Sequence, residues 1–154
     1  MQAIWQSESV VARTQIIARS LRHWTVRELL PGGFSPAELA DKIFLAPFVL
    51  IAHGTEADPV LNYGNRTALW LWQMPWEEFT RTPSRLTAEE PNRAERARLL
   101  ARVTERGFIE DYAGVRIAQT GRRFRIQQAT VWNLLADDGQ LAGQAAMFSQ
   151  WEFL

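Results

Sequence analysis

The chain has 154 residues, a length that fits one domain, or one domain with a helical appendage, and leaves no room for two separate catalytic units. Hydrophobic residues make up 47% and charged residues 22%, which excludes a disordered or collagen-like chain and calls for a real core. Seventeen basic residues balance seventeen acidic ones, so bulk electrostatics gives no pull toward nucleic acid or anionic membrane, and the absence of cysteine excludes disulfides, thiolate metal sites, cysteine nucleophiles and cysteinyl–flavin photochemistry.

Met1 to Ser9 has no basic segment followed by an apolar one, so no secretory signal is expected. From Val10 to Leu30 apolar residues recur at spacings of three and four, which predicts an amphipathic helix stopped by Pro31-Gly32-Gly33. Ser35-Pro36-Ala37-Glu38 opens a second helix with a capping-box spacing, ending near Lys42. Two short strands follow, Phe48 to His53 and Pro59 to Tyr63, around a turn at Gly54 to Asp58. Asn65 is placed to cap a helix from Arg66 to Gln73, Pro75 opens a short helical turn through Phe79, and residues 80–91 read as loop. The clearest helix is Arg93 to Arg106, capped by Asn92 and ended by Gly107. Tyr112 to Ala118, Arg123 to Leu134 and Gln140 to Trp151 then form a three-stranded meander.

The longest uncharged runs, Ile43 to Thr55 and Gly139 to Trp151, have 13 residues each, against roughly 20 for a bilayer span. The expectation is a soluble cytoplasmic protein of α+β class with no membrane partner, its helices gathered on one face of an antiparallel sheet.

The segments APFVLIAHGTEADPVLNYGN (Ala46 to Asn65), WEEFTRTPSRLTAEEPNRAERARLLARV (Trp76 to Val103) and GVRIAQTGRRFRIQQATVWNLL (Gly114 to Leu135) resemble the bacterial MEKHLA-domain proteins, a PAS-related family also found at the C-terminus of plant homeodomain leucine-zipper transcription factors. The resemblance covers roughly residues 20–151, and its most specific string is His53 to Pro59 with Asn62 to Asn65. It implies a PAS-like, five-stranded antiparallel sheet in residues 44–154, preceded by an N-terminal helical segment, residues 1–43. It also implies sensing or regulation by a small molecule or a protein partner rather than an established reaction. No homeodomain or zipper accompanies it here, so the DNA-binding role of the plant proteins does not carry over.

In that arrangement a ligand lies between the sheet and the helices that follow the second strand, and the side chains to test are Asn62, Tyr63, Asn65, Arg66, Trp70, Arg85, Trp132 and Gln144. Each has a structural alternative: Asn65 as a cap, Asn62 as a turn residue, Trp70 and Trp132 as core. No cofactor is identified. Haem ligation, one PAS habit, finds no histidine on Arg93 to Arg106, and flavin has no positive sign.

His53, Glu56 and Asp58 group three ligand or acid–base side chains within six residues, which defines the competing reading, a small α+β enzyme or metal site; ordinary turn hydrogen bonding is the simpler account. No Gly-x-Ser-x-Gly elbow or phosphate loop appears. Residues 81–125 hold 11 Arg and six acids, so a basic face, including Arg93, Arg96, Arg98, Arg102 and Arg106 around one helix, is expected to be solvated; a third reading gives it and the Trp residues to protein interaction without a pocket. The N-terminal helix is expected either to dock on its own sheet or to pair with a second copy as a homodimer. The chain ends at Leu154, directly after the last strand, so any output is expected to pass to another protein.

Overall fold

The structure is a computed structural model describing residues 2–154. After a 3-10 turn at Ile4–Gln6 come α1 (Glu8–Thr25), α2 (Pro36–Phe44), β1 (Val49–His53), β2 (Leu61–Gly64), α3 (Arg66–Trp72), α4 (Trp76–Phe79), a 3-10 turn at Ser84–Thr87, α5 (Glu90–Arg106), β3 (Phe108–Ile117), β4 (Arg123–Leu135), β5 (Leu141–Phe148) and β6 (Gln150–Phe153). The capping box of α2 forms as its spacing predicts: Ser35 Oγ accepts from the Glu38 N–H at 3.3 Å and Glu38 Oε1 from the Ser35 N–H at 3.1 Å.

Three boundaries differ from the sequence reading. Helix α1 stops at Thr25 instead of running toward Leu30, because Val26 takes a left-handed conformation (φ 61°) and the Thr25 hydroxyl accepts the Arg27 N–H at 3.1 Å; the turned chain then buries Leu29. Helix α5 starts at Glu90 rather than Arg93, since Pro91 fits the first turn of a helix, and its N-cap is Glu89. Strand β3 leaves α5 directly at Phe108.

The sheet order is β2-β1-β5-β4-β3, every neighbour antiparallel. A sixth strand, one more than expected, also pairs with β4. It keeps the register of β5, since Thr130 faces Met147 and Gln127 faces Gln150. The closing strand is therefore one run kinked at Ser149, near the place where Gln128 of β4 (φ 51°) and Asp111 of β3 (φ 56°) interrupt the ladder.

Both faces of the sheet are covered. Alternation along β1 sends Leu50 and Ala52 to one core, where they meet Ile17 and Leu21 of α1, Ile43 of α2, Trp132 and Leu134. Val49 and Ile51 go to the other, with Leu71 and Trp72 of α3, Leu99 and Val103 of α5, Ile126, Val131 and Phe148. Helices thus stand on both faces, because α1 lays its apolar stripe on its own sheet. Among the described residues no helix is long and apolar enough to cross a membrane.

Candidate functional site

The second core is not completely filled. Between α5, the Ser84–Thr87 turn and the inner face of β1, β3, β4 and β5 lies a cavity of about 40 Å³, walled chiefly by apolar side chains such as Leu61, Leu99, Ile126 and Val131. Six polar residues share the lining: His53, Ser84, Thr87, Arg96, Arg116 and Gln144, with the ring of Tyr112 beside them. At roughly 10–15 Å³ per water, the space admits about three waters or a ligand of about four heavy atoms.

Local structure explains why these side chains point inward. Arg96 precedes Leu99 and Leu100 by three and four positions, so it belongs to the buried stripe of α5. On β3, Tyr112, Gly114 and Arg116 follow the strand alternation; a side chain at Gly114 would overlap the Tyr112 hydroxyl and stand 3.0 Å from Arg116 Nη1. His53 and Gln144 face each other across β1 and β5.

The hydrogen bonds leave charge uncompensated. Arg96 Nη2 donates to the buried Ser84 hydroxyl. Arg116, 6% exposed, donates from Nη1 to its neighbour's carbonyl, Val115 O, at 2.9 Å and from Nη2 to the Tyr112 hydroxyl at 3.1 Å. Tyr112 in turn donates to Glu95 Oε2 at 2.9 Å. Neither guanidinium forms an ion pair among the described residues. Burial, reinforced by the like charge of Arg116, lowers the Arg96 pKa to about 10. Burial also lowers the pKa of His53 and raises that of Tyr112. His53 Nδ1 lies 2.9 Å from the Gly54 carbonyl, which can only accept, so Nδ1 carries the proton of the neutral ring, while Nε2 is buried on the side of Gln144 with no hydrogen bond of good geometry.

Of the eight side chains singled out from the sequence, Gln144 lines this cavity and the other seven lie elsewhere. Gln144 Nε2 shares its two hydrogens among three acceptors, Leu100 O, Thr104 Oγ1 and Asn133 Oδ1, at 3.0–3.1 Å. Asn65 is fully buried as a structural knot: Oδ1 accepts from Leu50 N and Ala68 N, and Nδ2 donates to Ile43 O and Phe48 O. Tyr63 and Trp132 face α1 on the opposite side of the sheet, and Trp132 Nε1 donates to Ile17 O at 3.2 Å. Asn62 O accepts from Arg13, Arg66 reaches Leu45 O at the surface, and Arg85 pairs with Asp58 at 3.2 Å. Trp70 is 55% exposed, beside Trp151 and Phe153, with Arg122 over its ring.

The trio His53, Glu56 and Asp58 does not converge. Glu56 Oε1 accepts from Val60 N within the turn and Asp58 is in the Arg85 ion pair, while His53 alone faces the cavity. No cluster of three or more His, Asp or Glu able to hold a metal occurs among the described residues. Sequence reasoning missed Arg96, Arg116, Tyr112 and Ser84. Arg96 was counted with the solvated basic face, although its spacing from Leu99 and Leu100 was a signal of the contrary.

The family model described as MEKHLA domain matches residues 11–153. Among curated proteins, the homeobox-leucine zipper protein ATHB-14 of Arabidopsis thaliana is 30% identical over 100 residues, a match spanning 65% of this chain and 12% of that much longer protein. Three solved structures share the fold. A PAS domain from Colwellia psychrerythraea has a TM-score of 0.61 at 11% identity, over 75% of this chain and 92% of its own. A light-oxygen-voltage domain whose mechanism was probed with a flavin analogue has a TM-score of 0.59 at 14% identity, over 75% and 84%. An RNA-binding light-oxygen-voltage receptor reaches 0.64 at 16% identity, over 77% of this chain and 34% of that one.

Proposed function

Because the chain belongs to the MEKHLA-domain family, a PAS-like sensory family, we propose that it is a non-enzymatic regulatory module whose cavity takes up a small molecule and whose occupancy is read by a protein partner in the cytoplasm. The wording of Ala46 to Asn65, Trp76 to Val103 and Gly114 to Leu135 supports a bacterial branch of the family, which placement in a sequence tree checks. In this reading residues 44–154 hold the ligand and residues 1–43 carry the output.

The observation that carries the proposal is the polar lining of the cavity. A buried guanidinium (Arg116), a half-buried one (Arg96) and an unpartnered imidazole nitrogen on an apolar wall are costly to keep unless something meets them. The output route is supported by a short chain of bonds: Gln144 donates to the Asn133 side chain at 3.1 Å, and Trp24 at the end of α1 donates to Asn133 O at 2.9 Å. A homodimer, if formed, would use faces of α1 other than the stripe buried on the sheet. Flavin is not carried over from the light-oxygen-voltage neighbour, because about 40 Å³ among Trp72, Leu99 and Phe148 has no room for a three-ring cofactor.

Amide NMR titration with a panel of small metabolites tests the proposal. A ligand is expected to shift resonances of Ile51, His53 and Gln144 and, through the sheet, those of α1, and Ala146→Leu, which fills the cavity from β5, should abolish both. A panel in which no compound of any charge moves the cavity resonances would refute it.

A further inference from the structure

The cavity carries one positive charge too many. Arg96 and Arg116 bring two, and among the described residues the one acid in their hydrogen-bond network is Glu95, reached through the Tyr112 hydroxyl. Asp58, the other acid near Arg96, is paired with Arg85. The missing counter-charge is a single negative one. Apolar side chains form most of the wall, with Leu61, Leu99, Ile126 and Val131 among them, and the space fits about four heavy atoms. Arg96 and Arg116 are the cationic groups of the lining, and burial favours the neutral form of His53, so the charged end of a ligand belongs at the guanidiniums.

We propose that the ligand is a short monocarboxylate, of acetate or propionate size, with its carboxylate between the Arg96 and Arg116 guanidiniums and its alkyl end on the apolar wall. This rests on the reading of the cavity as a sensory site. Planar guanidinium donors suit a carboxylate, and a dry surrounding strengthens each charge-assisted bond. A ligand of about four heavy atoms has an affinity ceiling near a Kd of about 40 µM, so the complex dissociates during purification and must be sought at millimolar ligand.

The test is thermal unfolding of the whole chain at constant ionic strength with acetate and propionate, against acetamide and propionamide, which keep the shape without the charge. Saturable stabilisation by the carboxylates alone is expected, as for any ligand that binds the native state only. Arg96→Gln and Arg116→Gln should each weaken the apparent Kd at least about tenfold. Equal stabilisation by the amides, by chloride or by phosphate would overturn the inference, as would unchanged affinity in both variants. Should neither variant fold, the carboxylate–amide comparison on the unmodified chain decides. The two readings fail separately: a neutral or cationic compound that moves the cavity resonances while carboxylates do not removes the monocarboxylate and leaves the sensory site standing, whereas entry by no compound removes both.

Discussion

Asn65 distinguishes an ordinary helix cap from a structural knot. Its side chain makes four hydrogen bonds: Oδ1 accepts from Leu50 N at 3.1 Å and Ala68 N at 3.2 Å, and Nδ2 donates to Ile43 O at 3.1 Å and Phe48 O at 2.8 Å. These tie α2, the loop before β1, β1 and α3 together at a fully buried point. Asn65→Ala removes all four, and at about 1 kcal/mol per bond, with partners left in a dry setting, the loss is about 4 kcal/mol. With a urea m-value of about 2 kcal/mol/M, the midpoint of equilibrium unfolding should fall by about 2 M. Asn65→Asp is the sharper probe. Asp caps helices as well as Asn does, so if Asn65 were a cap alone the change would be nearly neutral. Here the replaced amide nitrogen faces two carbonyl oxygens, and a carboxylate both loses those bonds and repels their acceptors, so the Asp variant should lose about as much as the Ala variant. An Asp variant within about 0.5 kcal/mol of the unmodified chain would show that the donor half of the knot contributes nothing, and the reasoning would fail.

Val26, 86% exposed and held at φ 61°, stores strain without a contact to lose, so Val26→Gly should raise the urea midpoint, by about 1 kcal/mol of stability after the added freedom of the unfolded chain is subtracted. His53 predicts a pH dependence: its folded pKa is depressed by burial below the usual value of about 6.5, so the unfolded chain binds more protons between the two values. Stability from this group is complete above about pH 6.5 and is lost as the pH falls toward the folded value; urea midpoints at pH 7.5 and about 5.5 should differ less in His53→Gln than in the unmodified chain.

Legibility in the sequence followed how local each determinant is. The Ser35–Glu38 box, the Asn65 cap and the Gly107 stop are read from neighbouring residues, and all three are found in place. Strand positions were also readable, but not which face each side chain took. Trp132 is flanked by Val131, which lines the cavity, and Asn133, which bonds to Gln144, so parity alone sends Trp132 to the α1 side. Tyr63 escapes parity: Leu61, two residues before it, lines the cavity, but the ladder shifts register so that Leu61 faces His53 and Tyr63 faces Ala52, which turns Tyr63 to the α1 side. Knowing which face is which requires the partner helices, and the docking of α1 is a long-range fact. Arginine misled for a different reason. On a helix with Arg98, Arg102 and Arg106 exposed, the half-buried Arg96 looks like one more solvated charge, yet it stands in the Leu99–Leu100–Val103 stripe. An arginine in a buried stripe, or at an inward position of a strand as Arg116 is, was the available sign of a site.

That sign has an energetic counterpart. A buried charge kept for folding should be destabilising to remove, whereas one kept for a ligand should be dispensable, or worse than dispensable, to the empty protein. Replacing Arg96 and Arg116 together by Met keeps much of the volume and removes two unpaired charges that repel each other. It strands no carboxylate, because Glu95 retains the Tyr112 hydroxyl, and Ser84 keeps a hydroxyl free to rotate toward another partner. The double variant should therefore be at least as stable as the unmodified chain without ligand, and by analogy with other buried charges up to about 3 kcal/mol more so, while losing the stabilisation that acetate confers. Unfolding in urea with and without acetate measures both quantities. A loss of more than about 2 kcal/mol in the ligand-free variant would mean that the guanidiniums hold the Ser84–Thr87 turn and β3 in place, and that their position in the core reflects architecture rather than recognition.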